Sequence, residues 1–221
     1  MSVLIYRDAQ TAGMCAATLL AGHLLRDPKC VIGVDYHETL VPAYEMLKSM
    51  TDNGLLNWSE TRIYQLFEFL ADESGEQRIA NLLGKVLFSH TDITVSQYAV
   101  PFAMEADGTS AAEAFEQRVL NDGGLDACLL AVRQDGSLLM NRSASEHPYT
   151  HVVSGDGNGF ITVGLTAVMQ AKHPIVVAIG KESAEAVKSM LSGSISESPL
   201  SALKLNPKAT FILDEEAASL L

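Results

Sequence analysis

One carboxylate of the chain directly follows a strongly apolar segment. Residues 125–142 read LDACLLAVRQDGSLLMNR, which predicts a buried strand that ends at an Asp-Gly turn. Ligands of parallel α/β sheets bind where such strands end, so Asp135 is a candidate general base. Asp-Gly is also the sequence that favours a type I′ hairpin turn, so a structural role for Asp135 is the alternative.

Other polar side chains follow predicted strands in the same way. Glu68 ends a strand-like run, as a second candidate base or as a solvated loop carboxylate. His37 and Glu38 follow another strand, where they form an acid/base pair, bind an anion or lie in a surface turn. Arg133 and Arg142 form an anion clamp or are simply exposed, since guanidinium groups suit bidentate phosphate recognition.

Two further polar segments are predicted to be loops in preference to metal- or anion-binding sites. Residues 143–151 bring together Ser145, Glu146, His147 and His151, but without a recognisable metal-ligand spacing. The glycine-rich turn 155–159 precedes a predicted helix and either binds an anion through its amides or is a flexible loop. We therefore expect no metal site and no cofactor.

The elements that must position these residues alternate along the chain. Apolar runs predict strands at residues 2–6, 30–34, 62–69, 93–100, 125–132, 138–140, 151–154, 174–179 and 210–213. Helical periodicity and capping residues predict helices at 9–26, 39–50, 74–88, 110–121, 162–172, 181–192, 198–203 and 215–221, with Asp8, Thr109 and Asp214 as N-caps. This alternation predicts a single α/β domain over residues 1–221, with three αβα layers and a mostly parallel, Rossmann-like sheet.

Composition narrows the possible partners and the compartment. The chain has 221 residues and a formal net charge of -12, which disfavours nucleic acid as a partner. Cys15, Cys30 and Cys128 lie in apolar contexts and are predicted to be reduced thiols. The N-terminus has no signal-peptide pattern and no apolar run is long enough to span a bilayer, so we expect a cytoplasmic protein without a membrane partner.

Three segments together resemble a known enzyme family. They are residues 33–47 (GVDYHETLVPAYEML), residues 125–136 (LDACLLAVRQDG), and residues 161–191 with the tail LNPKATFILDE at 205–215. They resemble the glucosamine-6-phosphate deaminase/isomerase and 6-phosphogluconolactonase family, over nearly the whole chain. The resemblance implies the fold predicted above and, for a divergent member, activity on a sugar phosphate or related carbohydrate in carbohydrate metabolism.

The resemblance also implies ligand-binding positions. The family's phosphate loop, rich in small residues, matches His37-Glu38-Thr39-Leu40, of which only Thr39 is shared. Glu38 places a negative charge where a phosphate would lie, which is unfavourable outside bulk water. A lysine expected near the last helices falls at Ser183, and Lys181 lies two residues earlier.

The implied catalytic positions are altered as well. The deaminases' Asp-Glu pair matches Phe67-Glu68, or Asp72-Glu73 in another register. The Asp-Gly-His turn matches Asp135-Gly136-Ser137, with serine in place of the acid/base histidine. Asn141 matches, whereas Arg142 replaces a glutamate. Asp135, Glu68 and Ser137 are thus the predicted catalytic residues, and His37, Glu38, Thr39, Asn141, Arg142 and Lys181 the predicted substrate-binding residues.

Three functional hypotheses follow from these residues. The first is an enzyme of the family, a sugar-phosphate isomerase/deaminase or lactone hydrolase with altered catalytic groups. The second is a catalytically degenerate homologue that binds a small ligand or a partner without turnover. The third is a structural member of a homo-oligomer that binds no ligand. The polar cleft expected at the sheet edge favours the first.

Overall fold

A mostly parallel sheet organises the chain. The computed structural model describes residues 1–70, 78–101, 108–142, 148–153, 159–192 and 198–221. Within these residues the main sheet has seven parallel strands: β1 Ser2–Tyr6, β2 Val31–Val34, β3 Arg62–Gln65, β5 Tyr98–Ala99, β6 Ala127–Ala131, β9 His173–Ala178 and β10 Thr210–Asp214. A small antiparallel sheet contains β4 Phe67–Phe69, β7 His151–Val153 and β8 Phe160–Thr162.

Helices flank the main sheet. They are α1 Ala9–Arg26, α2 Val41–Asp52, α3 Ile79–Val86, α4 Gly108–Asn121, α5 Leu165–Gln170, α6 Ala184–Ser192 and α7 Pro199–Ala202. Short 3-10 turns occupy Glu38–Leu40, Phe88–His90, Lys181–Ser183 and Leu203–Leu205. This arrangement confirms the predicted αβα fold class. None of the described helices is long and apolar enough to cross a bilayer.

The strand order changes direction between β2 and β6, which is where the ligand-binding crevice of an α/β sheet is expected. The order across the main sheet is β1-β10-β9-β6-β2-β3-β5. From β2 the chain builds outward through β3 and β5, and then returns to place β6 on the other side of β2. From β6 it continues through β9 and β10 in the opposite direction. The loops after β2 and β6 therefore diverge, and this switch point is where α/β sheets bind ligands.

The core is built where the sheet and α1 meet. Every residue of β2 and β6 is buried, as expected for central parallel strands. The helix α1 is capped by Asp8, which accepts a hydrogen bond from the Thr11 amide at 2.7 Å. Its buried side chains are mostly alanine and leucine, and Gly13 lies so close to Pro42 of α2 that a β-carbon there would stand 2.6 Å from the proline Cβ.

The cysteines behave as the sequence predicts. All three are free thiols, Cys30 and Cys128 being buried and Cys15 partly exposed. Burial raises the pKa of Cys30 to about 11 and that of Cys128 to about 12. Both thiols therefore stay protonated and unreactive at neutral pH.

Several element predictions need correction. The predicted strand 62–69 is two strands, because β4 leaves the main sheet to pair with β8, which the sequence pattern missed. Residues 138–140 form no strand; Leu138 makes isolated bridges to Val132 and Asn141. The predicted strand 93–100 is reduced to β5.

Helix ends differ from the predictions too. Thr109 lies inside α4 and does not cap it. Asp214 ends β10, and turns follow it in place of the predicted terminal helix. The predicted start of the helix 74–88, the alternative pair Asp72-Glu73, the polar residues 143–147 and most of the glycine-rich turn 155–159 lie outside the described residues.

Candidate functional site

An ion pair between a buried aspartate and a partly buried arginine bridges the switch point. Asp35 follows β2 and is fully buried, and Arg133 follows β6. The two terminal nitrogens of the guanidinium donate to the two carboxylate oxygens, Nη2 at 3.0 Å and Nη1 at 3.3 Å. The Ala131 amide donates to the same carboxylate at 3.0 Å, and the Tyr44 hydroxyl donates to the Asp35 carbonyl. This network holds the two loops in a defined relation.

An aromatic ring supports the guanidinium. The Cζ atom of Arg133 lies 5.3 Å from the centre of the Phe67 ring, which places a cation over an aromatic face. Phe67 stands where the family resemblance implies an aspartate. The side chain of Arg133 is 14% exposed, so the prediction of a freely exposed arginine is wrong for Arg133.

The loop after β2 is closed by hydrogen bonds between its own residues. His37 Nδ1 accepts a hydrogen bond from the Thr39 amide at 3.3 Å and lies 2.9 Å from the Thr39 hydroxyl. The Leu40 amide donates to the His37 carbonyl at 2.9 Å. Burial and the Arg133 charge lower the pKa of His37, although Asp35 and Glu38 oppose them. His37 is therefore neutral at pH 7 and, with Nδ1 accepting, carries its proton on Nε2.

Asp135 lies in a turn that borders the crevice. The Gly136 amide donates to the Arg133 carbonyl at 2.8 Å, and the Ser137 amide donates to the Asp135 carboxylate at 3.0 Å. Gly136 has a φ of 75°, whereas Asp135 is not in the left-handed region, so the turn is not type I′. The side chain of Asp135 is 55% exposed, and Arg142 Nε lies 3.8 Å from it.

The Asp135 carboxylate is ionised at neutral pH. Partial burial opposes ionisation, but the hydrogen bonds from Ser137 and the charges of Arg142 and Arg133 outweigh it and lower the pKa of Asp135. An ionised and accessible carboxylate can accept a proton from a bound ligand.

Glu68 performs a structural task in the same region. It is fully buried and accepts hydrogen bonds from four donors among the described residues. One carboxylate oxygen accepts from the amides of Phe69 at 2.9 Å and Ile79 at 3.0 Å. The other accepts from the Ala80 amide and the Gln65 side chain, each at 3.0 Å. Glu68 thus satisfies amides at the start of α3 and joins that helix to β4. Its role as a base stays a prediction, and these contacts favour the structural role.

The remaining predicted residues divide into buried and exposed groups. Asn141 is buried, and its amide donates to the carbonyls of Leu138 at 3.2 Å and Val163 at 2.9 Å, which is a structural arrangement. Ser137 is buried in the turn. Arg142, with an 85% exposed side chain, and Lys181 are exposed cations on neighbouring loops.

The loop after β9 is held by a buried carboxylate. Asp214 accepts from the Gly180 amide at 3.0 and 3.1 Å and from the Ala217 amide at 2.8 Å. This places Lys181 beside the loop after β6, since β9 and β6 are neighbours. The Ser183 hydroxyl donates to the Ile179 carbonyl at 2.9 Å, so it helps to shape the loop.

The structure therefore brings His37, Thr39, Asp135 and Arg142 to one edge around Asp35, which is not among the residues predicted from the sequence. A charged residue immediately after an apolar strand is the signal that could have found it, but its partner lies 98 residues away. Only the pairing of β2 with β6 makes that partner visible.

The parallel sheet and its polar switch point define an α/β protein of the kind that binds small ligands. The sequence profile described as glucosamine-6-phosphate isomerases/6-phosphogluconolactonase matches residues 31–212. The chain therefore belongs to the glucosamine-6-phosphate isomerase/6-phosphogluconolactonase family, which confirms the predicted resemblance.

Individual relatives give the same result. A glucosamine-6-phosphate deaminase of Pseudoalteromonas translucida is 30% identical, over 100% of this chain and 90% of the relative. One of Streptomyces coelicolor is 28% identical, over 100% and 93%. The structure of a monomeric glucosamine-6-phosphate deaminase superposes with a TM-score of 0.93 at 25% identity, covering 100% of both chains. A 6-phosphogluconolactonase from Trypanosoma cruzi shares the fold, with a TM-score of 0.83 at 18% identity over 100% of this chain and 96% of that one.

Proposed function

We propose that this chain is a divergent sugar-phosphate enzyme of carbohydrate metabolism, with its ligand bound at the carboxyl ends of β2 and β6. The observation that carries the proposal is the ionised, half-exposed carboxylate of Asp135 at the switch point. Deaminase/isomerase chemistry is favoured over lactone hydrolysis, because full-length relatives at about 30% identity are deaminases.

Asp135 is the proton acceptor in this proposal. Isomerisation of an aldose to a ketose requires a base that takes a proton from one carbon and returns it to the next. Among the carboxylates of Asp35, Glu68 and Asp135, only that of Asp135 is exposed; the other two are buried and already bonded. The neutral His37 is a second proton-handling group on the adjoining loop.

A second candidate function is ligand binding without turnover. The residues at the implied Asp-Glu positions favour it. The Phe67 ring lies under the Arg133 guanidinium, and the Glu68 carboxylate accepts hydrogen bonds from four described donors. These contacts favour structural roles for both residues. In this case the crevice recognises a sugar phosphate and releases it unchanged.

A proton NMR time course separates the two functions. The purified protein is mixed with glucosamine-6-phosphate, 6-phosphogluconolactone and a panel of related phosphosugars, and product peaks are followed. The enzyme function predicts new peaks and a rate that falls about 10²- to 10⁴-fold in Asp135→Asn. Asp52→Asn is the matched control, because Asp52 is also half-exposed and pairs with a basic side chain, His90, far from the crevice.

The outcomes differ clearly. Turnover that Asp135→Asn leaves unchanged would rule out Asp135 as the base. Ligand-induced shifts without any product would establish the binding function. Neither shifts nor product with any of these compounds would contradict both functions.

A further inference from the structure

In this chain, the loop that matches the family's phosphate loop has backbone amides that already donate hydrogen bonds to His37. Two amides at the start of the 3-10 turn are bonded within the loop, that of Thr39 to His37 Nδ1 and that of Leu40 to the His37 carbonyl. Glu38 adds a negative charge at the same place. An incoming phosphate would have to displace these bonds and approach that charge. The loop therefore does not provide the usual cradle of free amides.

Arg133 is a cation held ready at the neighbouring position. The Asp35 carboxylate accepts hydrogen bonds from both terminal nitrogens of the Arg133 guanidinium, and the Phe67 ring packs against one face of the guanidinium. Among the described residues, the Nε–H of Arg133 has no acceptor. A guanidinium fixed in this way has lost its rotamer freedom before a ligand arrives, so binding through the Nε edge orders little more.

The charge of Arg133 reaches both loops of the crevice. It lowers the pKa of His37 after β2 and the pKa of Asp135 after β6, as a positive charge between them would. The neutral His37 also carries an N–H on Nε2, so the loop after β2 still offers one donor. A phosphate at the switch point would meet a planar cation and an imidazole donor in place of backbone amides.

We propose that Arg133 binds the phosphate group of the ligand directly, with Asp35 and Phe67 positioning its guanidinium. This inference rests on the proposed function, because it requires a phosphorylated ligand. It differs from the anion clamp of Arg133 and Arg142 predicted from the sequence, since Arg142 is highly exposed and pairs with Asp135. The residue that replaces the family's phosphate loop is the partly buried Arg133.

The test compares the binding of phosphorylated and unphosphorylated sugar. Isothermal titration calorimetry measures the affinity of the full chain for glucosamine-6-phosphate, glucosamine and inorganic phosphate. The variant Asp35→Asn/Arg133→Gln replaces the ion pair by a neutral pair and leaves no buried charge unpaired. The matched control Asp122→Asn/Arg62→Gln makes the same two changes in an Arg-Asp pair at the amino end of β3.

The expected result is a loss that depends on the phosphate. The crevice variant should bind glucosamine-6-phosphate about 10- to 100-fold more weakly, with the affinity for glucosamine unchanged. The control should bind both like the unmodified chain. Undiminished affinity of the crevice variant for glucosamine-6-phosphate would overturn this inference and leave the proposed function intact. Failure of the unmodified chain to bind any sugar phosphate would overturn both.

A single substitution covers the case in which the double variant does not fold. Arg133→Lys keeps the positive charge beside Asp35 but removes the planar fork and its Nε edge. It should weaken glucosamine-6-phosphate binding about 10-fold and leave the circular dichroism spectrum unchanged. Equal affinity in a folded Arg133→Lys protein would contradict direct phosphate binding by Arg133.

Discussion

The substitution Glu68→Gln tests whether Glu68 serves structure or chemistry. The carboxylate is fully buried and accepts from three backbone amides and from the Gln65 side chain. Glutamine has nearly the same shape but carries two N–H donors on one of its terminal atoms. If the glutamine oxygen keeps the hydrogen bonds from the backbone amides of Phe69 and Ile79, its nitrogen must face two other donors. These are the Ala80 backbone amide and the side-chain amide nitrogen of Gln65.

The size of the effect follows from those contacts. Each buried donor left without an acceptor costs about 1–3 kcal/mol, and two are affected. Loss of the negative charge at the start of α3 removes about 0.3–1 kcal/mol more. The smaller desolvation cost of a neutral amide offsets part of this sum. We expect Glu68→Gln to lower the free energy of unfolding by about 2–4 kcal/mol.

Urea unfolding followed by far-UV circular dichroism measures this difference. The midpoint should fall while the slope of the free energy against urea stays constant, because the same surface is exposed on unfolding. Glu60→Gln is the matched control, since Glu60 is exposed and lies 3.6 Å from Lys29; it should change stability by less than about 1 kcal/mol. A Glu68→Gln protein as stable as Glu60→Gln, but without activity, would refute the structural reasoning and favour a catalytic Glu68.

Two further predictions concern stability. In Gly164→Ala, the new β-carbon would stand 2.3 Å from the Tyr149 backbone, so the melting temperature should fall by several degrees; the control Gly84→Ala, with open space around it in α3, should raise it slightly. Equal melting temperatures would contradict the close approach. Burial lowers the pKa of His23, which packs against the His173 ring, to about 4. The unfolded chain then binds more protons below the ordinary histidine pKa, and stability falls from about pH 6.5 toward pH 4. Between pH 7 and pH 5, the free energy of unfolding should fall by about 1 kcal/mol less in His23→Leu than in the unmodified chain, after allowance for solvent screening. Urea unfolding at each pH measures this difference. Parallel pH profiles of stability for the two proteins would contradict the prediction.

The sequence by itself determined the fold class and the edge at which to look for a site. Apolar runs of five or six residues and helical periodicity reflect interactions between near neighbours, so β1, α1, β6 and β9 could be predicted closely. Because strands alternate with helices, the loops that follow parallel strands must lie together. That argument places His37 and Asp135 at the same edge, whereas Lys181 is implied only by the family resemblance. A homo-oligomeric state stays a prediction.

What the tertiary structure decided was how those loops are used. The ion pair of Asp35 with Arg133 joins residues 98 positions apart, and the Glu68 carboxylate reaches the first amides of α3 across 11 positions. The departure of β4 from the main sheet depends on β8, which lies more than 90 residues further along the chain. Partners so far apart leave no local pattern, because their contact depends on which strands become neighbours. The same charged side chains would be surface residues in another strand order, and here the adjacency of β2 and β6 makes them the centre of the crevice.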